Sequence, residues 1–320
     1  VMLPKYLCIP EKWRNQMKYV THFYMDLAWR SQYVGVLEME YAGVHYYFID
    51  NEFYFAGPKP YGYIHEDIEK FAFFSKAALS AMPLLNFKPD IVHCHDWQTG
   101  LVPVYMKERF HDGEFFRDMK SIMTIHNLKF QGIWDLKKVK DITGLPPYFF
   151  TSDKLEAYGD ANYLKGGIVY ADAVTTVSES YAQEIKTPFY GEHLDGLMRA
   201  RSNCLTGIVN GIDYDEFNPE TDKRIVANYN QKTFRKEKGK NKKALQQELG
   251  LEVNDKKFMI GIVSRLTDQK GFDLIAYMMD QICTEDVQLV VLGTGESQYE
   301  NMFRHFAWKY PDRVSANIYY

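Results

Sequence analysis

The run Lys88-Pro89-Asp90-Ile91-Val92-His93-Cys94-His95-Asp96-Trp97 reads as a turn, a buried strand, and a polar and aromatic cluster where the strand ends. Pro89 and Asp90 mark the turn, and the short apolar core after them has strand length. The same pattern repeats outward from it. Residues 121–125, 173–177 and 205–209 are short apolar runs bounded by loops or helical patterns. Before it, Ile68, Phe71, Ala72, Leu79 and Met82 carry the helical apolar period across residues 67–82, and Pro83 stops them. A second helical stretch ends near Gln183. Short buried strands separated by helices predict an α/β fold with a parallel, doubly wound sheet.

The composition shifts near residue 220. Residues 232–243 hold seven basic side chains and one acid, with Phe234 as their one apolar residue, which reads as a solvated connector or the start of a charged helix. A phosphate-binding patch is the alternative. Beyond it, residues 257–263 and 287–292 read as strands, and 271–282 and 298–309 as helices. This is the opening of a second α/β domain, with fewer strands than a doubly wound sheet usually has.

At 320 residues the chain has room for about two domains. An apolar content of 46% excludes disorder as the main state. With 38 basic against 42 acidic residues there is no general attraction to nucleic acid. No run approaches a membrane-spanning length. Cys8, Cys94, Cys204 and Cys283 form no framework and are expected as reduced, buried thiols of a cytoplasmic protein. The first residue, Val1, suggests a chain that begins mid-protein.

Five motifs could carry chemistry. In His93-Cys94-His95-Asp96-Trp97, the carboxylate of Asp96 suits sugar hydroxyls and the indole of Trp97 suits a sugar ring face. His93 and His95 share one strand face, but with no third ligand nearby no metal site is expected. His126 and Asn127 directly follow the next strand. Asn210-Gly211 is a turn placed to floor an interdomain cleft. In Ser264-Arg265-Leu266-Thr267-Asp268-Gln269-Lys270-Gly271, two fixed cations precede a helix, which suits a phosphate; ordinary surface salt bridges are the alternative. Gly293-Thr294-Gly295 is a turn, not a dinucleotide fingerprint, and no P-loop, nucleophile elbow or zincin motif occurs.

Together and in this order the motifs resemble the bacterial glycogen synthase and plant starch synthase family. The carriers are HCHDWQTGL at 93–101, TIHNLKFQG at 124–132 and YLKGGIVYAD at 163–172. They continue with Val177-Ser178, Tyr181, Glu184-Ile185, Asn210–Asp213, Asn218–Asp222 and SRLTDQKG at 264–271. The resemblance implies a GT-B-like fold: two Rossmann-type domains with a cleft between them, the first lacking its N-terminal strand and the second truncated. Residues 1–208 would form the acceptor-side domain, 209–256 a linker and connector helix, and 257–320 the start of the nucleotide-sugar domain. The family's Lys-x-Gly-Gly-Leu phosphate loop and its Glu-Pro-x-Gly-Leu segment are absent, so the chain is expected to be a fragment and incomplete as a catalyst.

The implied reaction moves glucose from ADP-glucose to the non-reducing 4-hydroxyl of an α-1,4-glucan such as glycogen, with retention. Asp96, His126, Arg265 and Lys270 are the implied catalytic residues. Trp97, Asn127, Asn210 and Gly211 are implied in substrate binding, together with the two cations. No metal or cofactor is implied, because fixed cations meet the leaving diphosphate. A related transferase using another nucleotide sugar, or a non-catalytic glucan-binding relative, are the alternatives.

Overall fold

The computed structural model describes residues 1–108, 110 and 113–319. The chain divides into two compact units, Val1–Asn210 and Gly211–Tyr320. Residues 209–256, expected as a connector, therefore lie almost wholly in the second unit.

Unit one opens with β1 (Met2–Pro4), a short α1 (Glu11–Arg14), and the long strands β2 (Lys18–Leu27), β3 (Arg30–Tyr41) and β4 (Val44–Asp50). These pair in the order β1-β4-β3-β2, with β1 parallel to β4 and the other pairs antiparallel. No antiparallel sheet was expected from the sequence. The exposed tyrosines Tyr19, Tyr24, Tyr33 and Tyr41 blur its alternation, and the register shifts between Tyr19 and Thr21.

A turn, α2 (Glu52–Phe55), leads to α3 (Ile64–Ala81), the predicted amphipathic helix, buried along most of its length. Its two buried lysines are held by local oxygens: Lys70 Nζ meets Asp67 at 2.5 Å, and Lys76 donates to the carbonyl of Asp26. Burial of these ammonium groups is tolerable only because they are paired.

The predicted parallel sheet follows: β5 (Ile91–His95), α4 (Leu101–Glu108) and β6 (Lys120–Ile125). After it come β7 (Ile133–Asp135), α5 (Leu136–Thr143), β8 (Glu156–Ala157) and β9 (Asp160–Asn162), which form a small antiparallel sheet with a helix beside it. Then come α6 (Tyr163–Tyr170), β10 (Ala173–Thr176), α7 (Glu179–Glu184), α8 (Asp195–Ala200) and β11 (Leu205–Gly207). The order β11-β10-β6-β5 is parallel throughout. Three of the helices start where a side chain takes an orphan N–H: Asp135 accepts from Lys138, Asn162 from Lys165 and Ser178 from Tyr181. Close backbone approach explains the glycines at the centre. A Cβ on Gly100 would stand 2.2 Å from the carbonyl oxygen of Tyr163. Strands β1 and β5 each end a sheet, and neither pairs with a further strand among the described residues.

Unit two contains α9 (Phe234–Glu248), β12 (Phe258–Val263), α10 (Phe272–Thr284), β13 (Val287–Leu292), α11 (Ser297–Lys309) and β14 (Val314–Asn317). Its sheet is parallel, in the order β12-β13-β14. The basic run of 232–243 lies on α9, which is tied to the sheet by paired amides: Gln246 Nε2 donates to Gln288 Oε1 at 2.7 Å. A separate apolar cluster built around Phe272, Phe303 and Val291 fills this unit. The cysteines depart from expectation. Cys94 and Cys283 are buried, but Cys8 is exposed and Cys204 is half-buried. Cys8 lies in the irregular segment after β1, outside any core element.

Candidate active site

In unit one the loops after β5 and β6 meet. Parallel strands deliver their carboxyl ends to one edge, so Asp96 and His126 arrive together. The carboxylate of Asp96 accepts from the backbone N–H of His126 at 2.8 Å. Burial pushes the pKa of Asp96 up, and the backbone N–H groups of His126 and Asn127 oppose that rise. Asp96 stands at φ 55° and ψ −172°, a conformation that costs a non-glycine residue about 1–3 kcal/mol. Its own N–H is held by the carbonyl of Thr124 at 2.9 Å.

His126 is exposed, and its Nε2 lies 3.0 Å from His95 Nδ1. Asn127 turns its Oδ1 to the N–H of Lys129 at 3.0 Å, shaping the loop. The next residues are pinned from below. Tyr181 Oη accepts from the N–H of Leu128 at 3.1 Å, and Gln131 Nε2 donates to the carbonyls of Leu128 and Glu192. Asn162 completes this network by donating to Gln131 Oε1 at 2.6 Å.

Trp97 corrects the sequence reading. Its indole presents no open ring face for a sugar, because it is buried, edge-on to Phe71 at 5.2 Å. Gly132, at φ 65°, passes so close that a Cβ there would stand 2.3 Å from the Trp97 ring. The indole therefore fixes the distance between the two loops. Open aromatic faces occur elsewhere, where no motif pointed. A cavity of ≈ 560 Å³ is lined by Phe53, Tyr54, Tyr61, Tyr63, His65 and Lys70, among others. Burial first, then the carboxylates of Asp96 and Asp67, raise the pKa of Tyr61 in its lining. The density of aromatics over 53–63 was the available signal.

In unit two the predicted cation loop follows β12. Arg265 and Lys270 are both exposed, and among the described residues neither has an ion-pair partner, so the salt-bridge alternative does not apply. Lys270 ends a single 3-10 turn, and Gly271 at φ 75° then opens α10. The Gly293-Thr294-Gly295 turn now has a physical reason. A Cβ on Gly293 would stand 1.9 Å from the carbonyl oxygen of Ser264, and one on Gly295 2.2 Å from that of Leu266. Leu266 N–H donates to Thr294, and Glu296 N–H to Leu266, locking the loops after β12 and β13 together. Asn210 closes unit one and Gly211 opens unit two, both exposed; Asp213 shapes the turn beyond them by accepting from the N–H of Asp215 and Glu216. Among the described residues no group of three or more His, Cys, Asp or Glu side chains could hold a metal ion.

Parallel sheets carrying polar and cationic loops at their carboxyl edges define a ligand-binding protein of the Rossmann-like α/β class. Comparison with known proteins narrows this. A family model described as the starch synthase catalytic domain matches residues 1–200. The glycogen synthases of Lachnospira eligens and Lachnoclostridium phytofermentans are 78% and 67% identical to this chain over all of its 320 residues. The chain spans 67% of the length of each. The solved catalytic domain of starch synthase IV from Arabidopsis thaliana, bound to ADP and acarbose, superposes with a TM-score of 0.86 at 27% identity. That match covers 99% of this chain and 66% of the Arabidopsis chain. The chain belongs to the glycogen synthase and starch synthase family of glucosyltransferases, and its fold is of the GT-B kind. Among the described residues no helix is long and apolar enough to cross a membrane.

Proposed function

We propose that the protein carrying this chain transfers glucose from ADP-glucose to the non-reducing 4-hydroxyl of an α-1,4-glucan, with retention. The observation that carries this reading is the match to glycogen synthases along the whole chain. The ADP and acarbose bound to the Arabidopsis enzyme support a nucleoside diphosphate and a glucan-like sugar as the two ligands.

On this reading the bond from C1 of glucose to the β-phosphate oxygen breaks as the acceptor O4 bonds to C1. The acceptor proton passes to the leaving phosphate. Negative charge grows on the diphosphate, and Arg265 and Lys270 are the cations that meet it. Neither has an ion-pair partner among the described residues, which leaves both available for that task. Asp96 and His126 hold the sugar, and Asn127 and Asn210 contribute polar contacts. The cavity lined by Phe53, Tyr61 and Tyr63 offers ring faces to the acceptor chain. The fixed cations make a metal unnecessary, so a chelator should leave transfer unchanged. The enzyme works in the cytoplasm, where an exposed thiol such as Cys8 stays reduced.

The test is donor competition in the natural gene product that carries this chain. Labelled ADP-glucose should enter glycogen and be displaced poorly by UDP- or GDP-glucose. Preferential use of either competitor would replace this reading with another nucleotide-sugar transferase, and glucan binding without transfer would replace it with a binding protein.

A further inference from the structure

We propose that His95 is a positioning residue for His126, fixing which ring nitrogen of His126 carries the proton and which one faces the substrate. The proposal rests on the glucosyl-transfer reading of the same site.

The geometry is that of a clamp. The backbone of His126 is gripped by Asp96 through its N–H at 2.8 Å, and its ring is gripped by His95 Nδ1 at Nε2, 3.0 Å away. Nδ1 of His126 has no partner among the described residues, and it is the nitrogen left for a ligand. A hydrogen bond between two neutral imidazoles needs one N–H and one lone pair. Whether Nε2 of His126 donates or accepts in that bond sets the opposite role for its Nδ1. With His95 held in one tautomer, the substrate meets a single tautomer of His126.

His95 is itself held in place. Its ring packs on that of His93 with centroids 4.3 Å apart, and its backbone N–H donates to Thr99 Oγ1 at 2.7 Å. His93 Nε2 lies 2.6 Å from Thr124 Oγ1, which lies 2.6 Å from Thr175 Oγ1. The row crosses β5, β6 and β10 on one face. Parallel strands are usually apolar on both faces, so a bonded polar row there has a local cause. The titratable groups around the pair are His93 and Asp96, with the hydroxyls of Tyr61 and Tyr181 near the Asp96 carboxylate. Burial first, then neighbouring imidazoles, hold His93 and His95 below the ordinary imidazole value, which keeps a lone pair available at neutral pH.

The experiment uses the natural gene product with His95→Asn, which keeps a donor and an acceptor near Nδ1, and His95→Leu, which removes both. Long-range 1H–15N imidazole spectra report the tautomer of His126. Turnover of ADP-glucose with maltohexaose reports its consequence. The expected result is one His126 tautomer in the unsubstituted protein and in His95→Asn, and a mixture in His95→Leu. For His95→Leu kcat falls about tenfold while the glucan KM barely moves, and His95→Asn restores most of the loss. An unchanged tautomer in His95→Leu, or equal kcat losses in both variants, would overturn the proposal. If the unsubstituted protein transfers no glucose, the functional reading fails, and the spectra still decide whether His95 sets the tautomer.

Discussion

Asp96, His126 and the loop that carries Arg265 and Lys270 are each placed by a different physical device. Asp96 is kept at φ 55° by hydrogen bonds to Thr124 on β6 and to His126 just beyond it, and His126 is clamped at backbone and ring. Arg265 and Lys270 stand exposed on a loop pressed against the Gly293-Thr294-Gly295 turn. Lys270→Ala should therefore lower donor use about a hundredfold while leaving glucan binding almost intact, measured by kcat/KM for ADP-glucose beside glycogen pull-down. Equal losses in both would remove Lys270 from the phosphate role. His126→Ala should reduce kcat by a similar factor with an unchanged circular dichroism spectrum; unaltered turnover would take it out of the site. The imidazoles also set a pH response. His93 and His95 are held below 6.5, so the unfolded chain takes up their protons first as the pH falls. Their contribution to stability is fully present above that value and is lost as the pH drops through their lower folded values. The melting temperature should fall as the pH drops below about 6.5, and the double variant His93→Asn, His95→Asn should flatten that fall. An identical slope in the variant would place the titrating groups elsewhere.

At the scale of elements, the parallel strands were legible because each is a short apolar run with a turn or helix beside it. Strands β5, β6, β10, β12 and β13 lie where those runs fell, as do helices α3, α10 and α11. Strands β2 to β4 were not legible. Their pairing is long and antiparallel, and their outward face carries tyrosines that read as apolar. The site shows the same division. Asp96, His126 and the cation loop stand out in the sequence because they directly follow predicted strands. The indole of Trp97 was read as a binding face, since burial of one side chain depends on Gly132 and Phe71, distant in sequence. The sequence pairs His95 with His93, for a metal or for packing, and does not reveal His126, which lies thirty-one residues away. The close approach of Gly132 gives an element-scale prediction. Gly132→Ala forces a methyl into the Trp97 ring at a positive φ and should destabilise unit one by roughly 2–4 kcal/mol, read as a lowered midpoint in urea. A midpoint within error of the unsubstituted protein would contradict the packing described.

For the whole molecule, the two units each bury their own apolar cluster, one around Phe71, Trp97 and Tyr163, the other around Phe272 and Phe303. Each unit carries one half of the proposed chemistry: sugar-holding carboxylate and imidazole in the first, phosphate-meeting cations in the second. The central claim is that these halves belong to one retaining glucosyl transfer. Its most direct test follows ADP-glucose and maltohexaose by proton NMR in the natural gene product. The account predicts a new α-1,4 anomeric doublet, maltoheptaose, and ADP released in equal amount. A β-linked product, or free glucose in place of the longer chain, would contradict it.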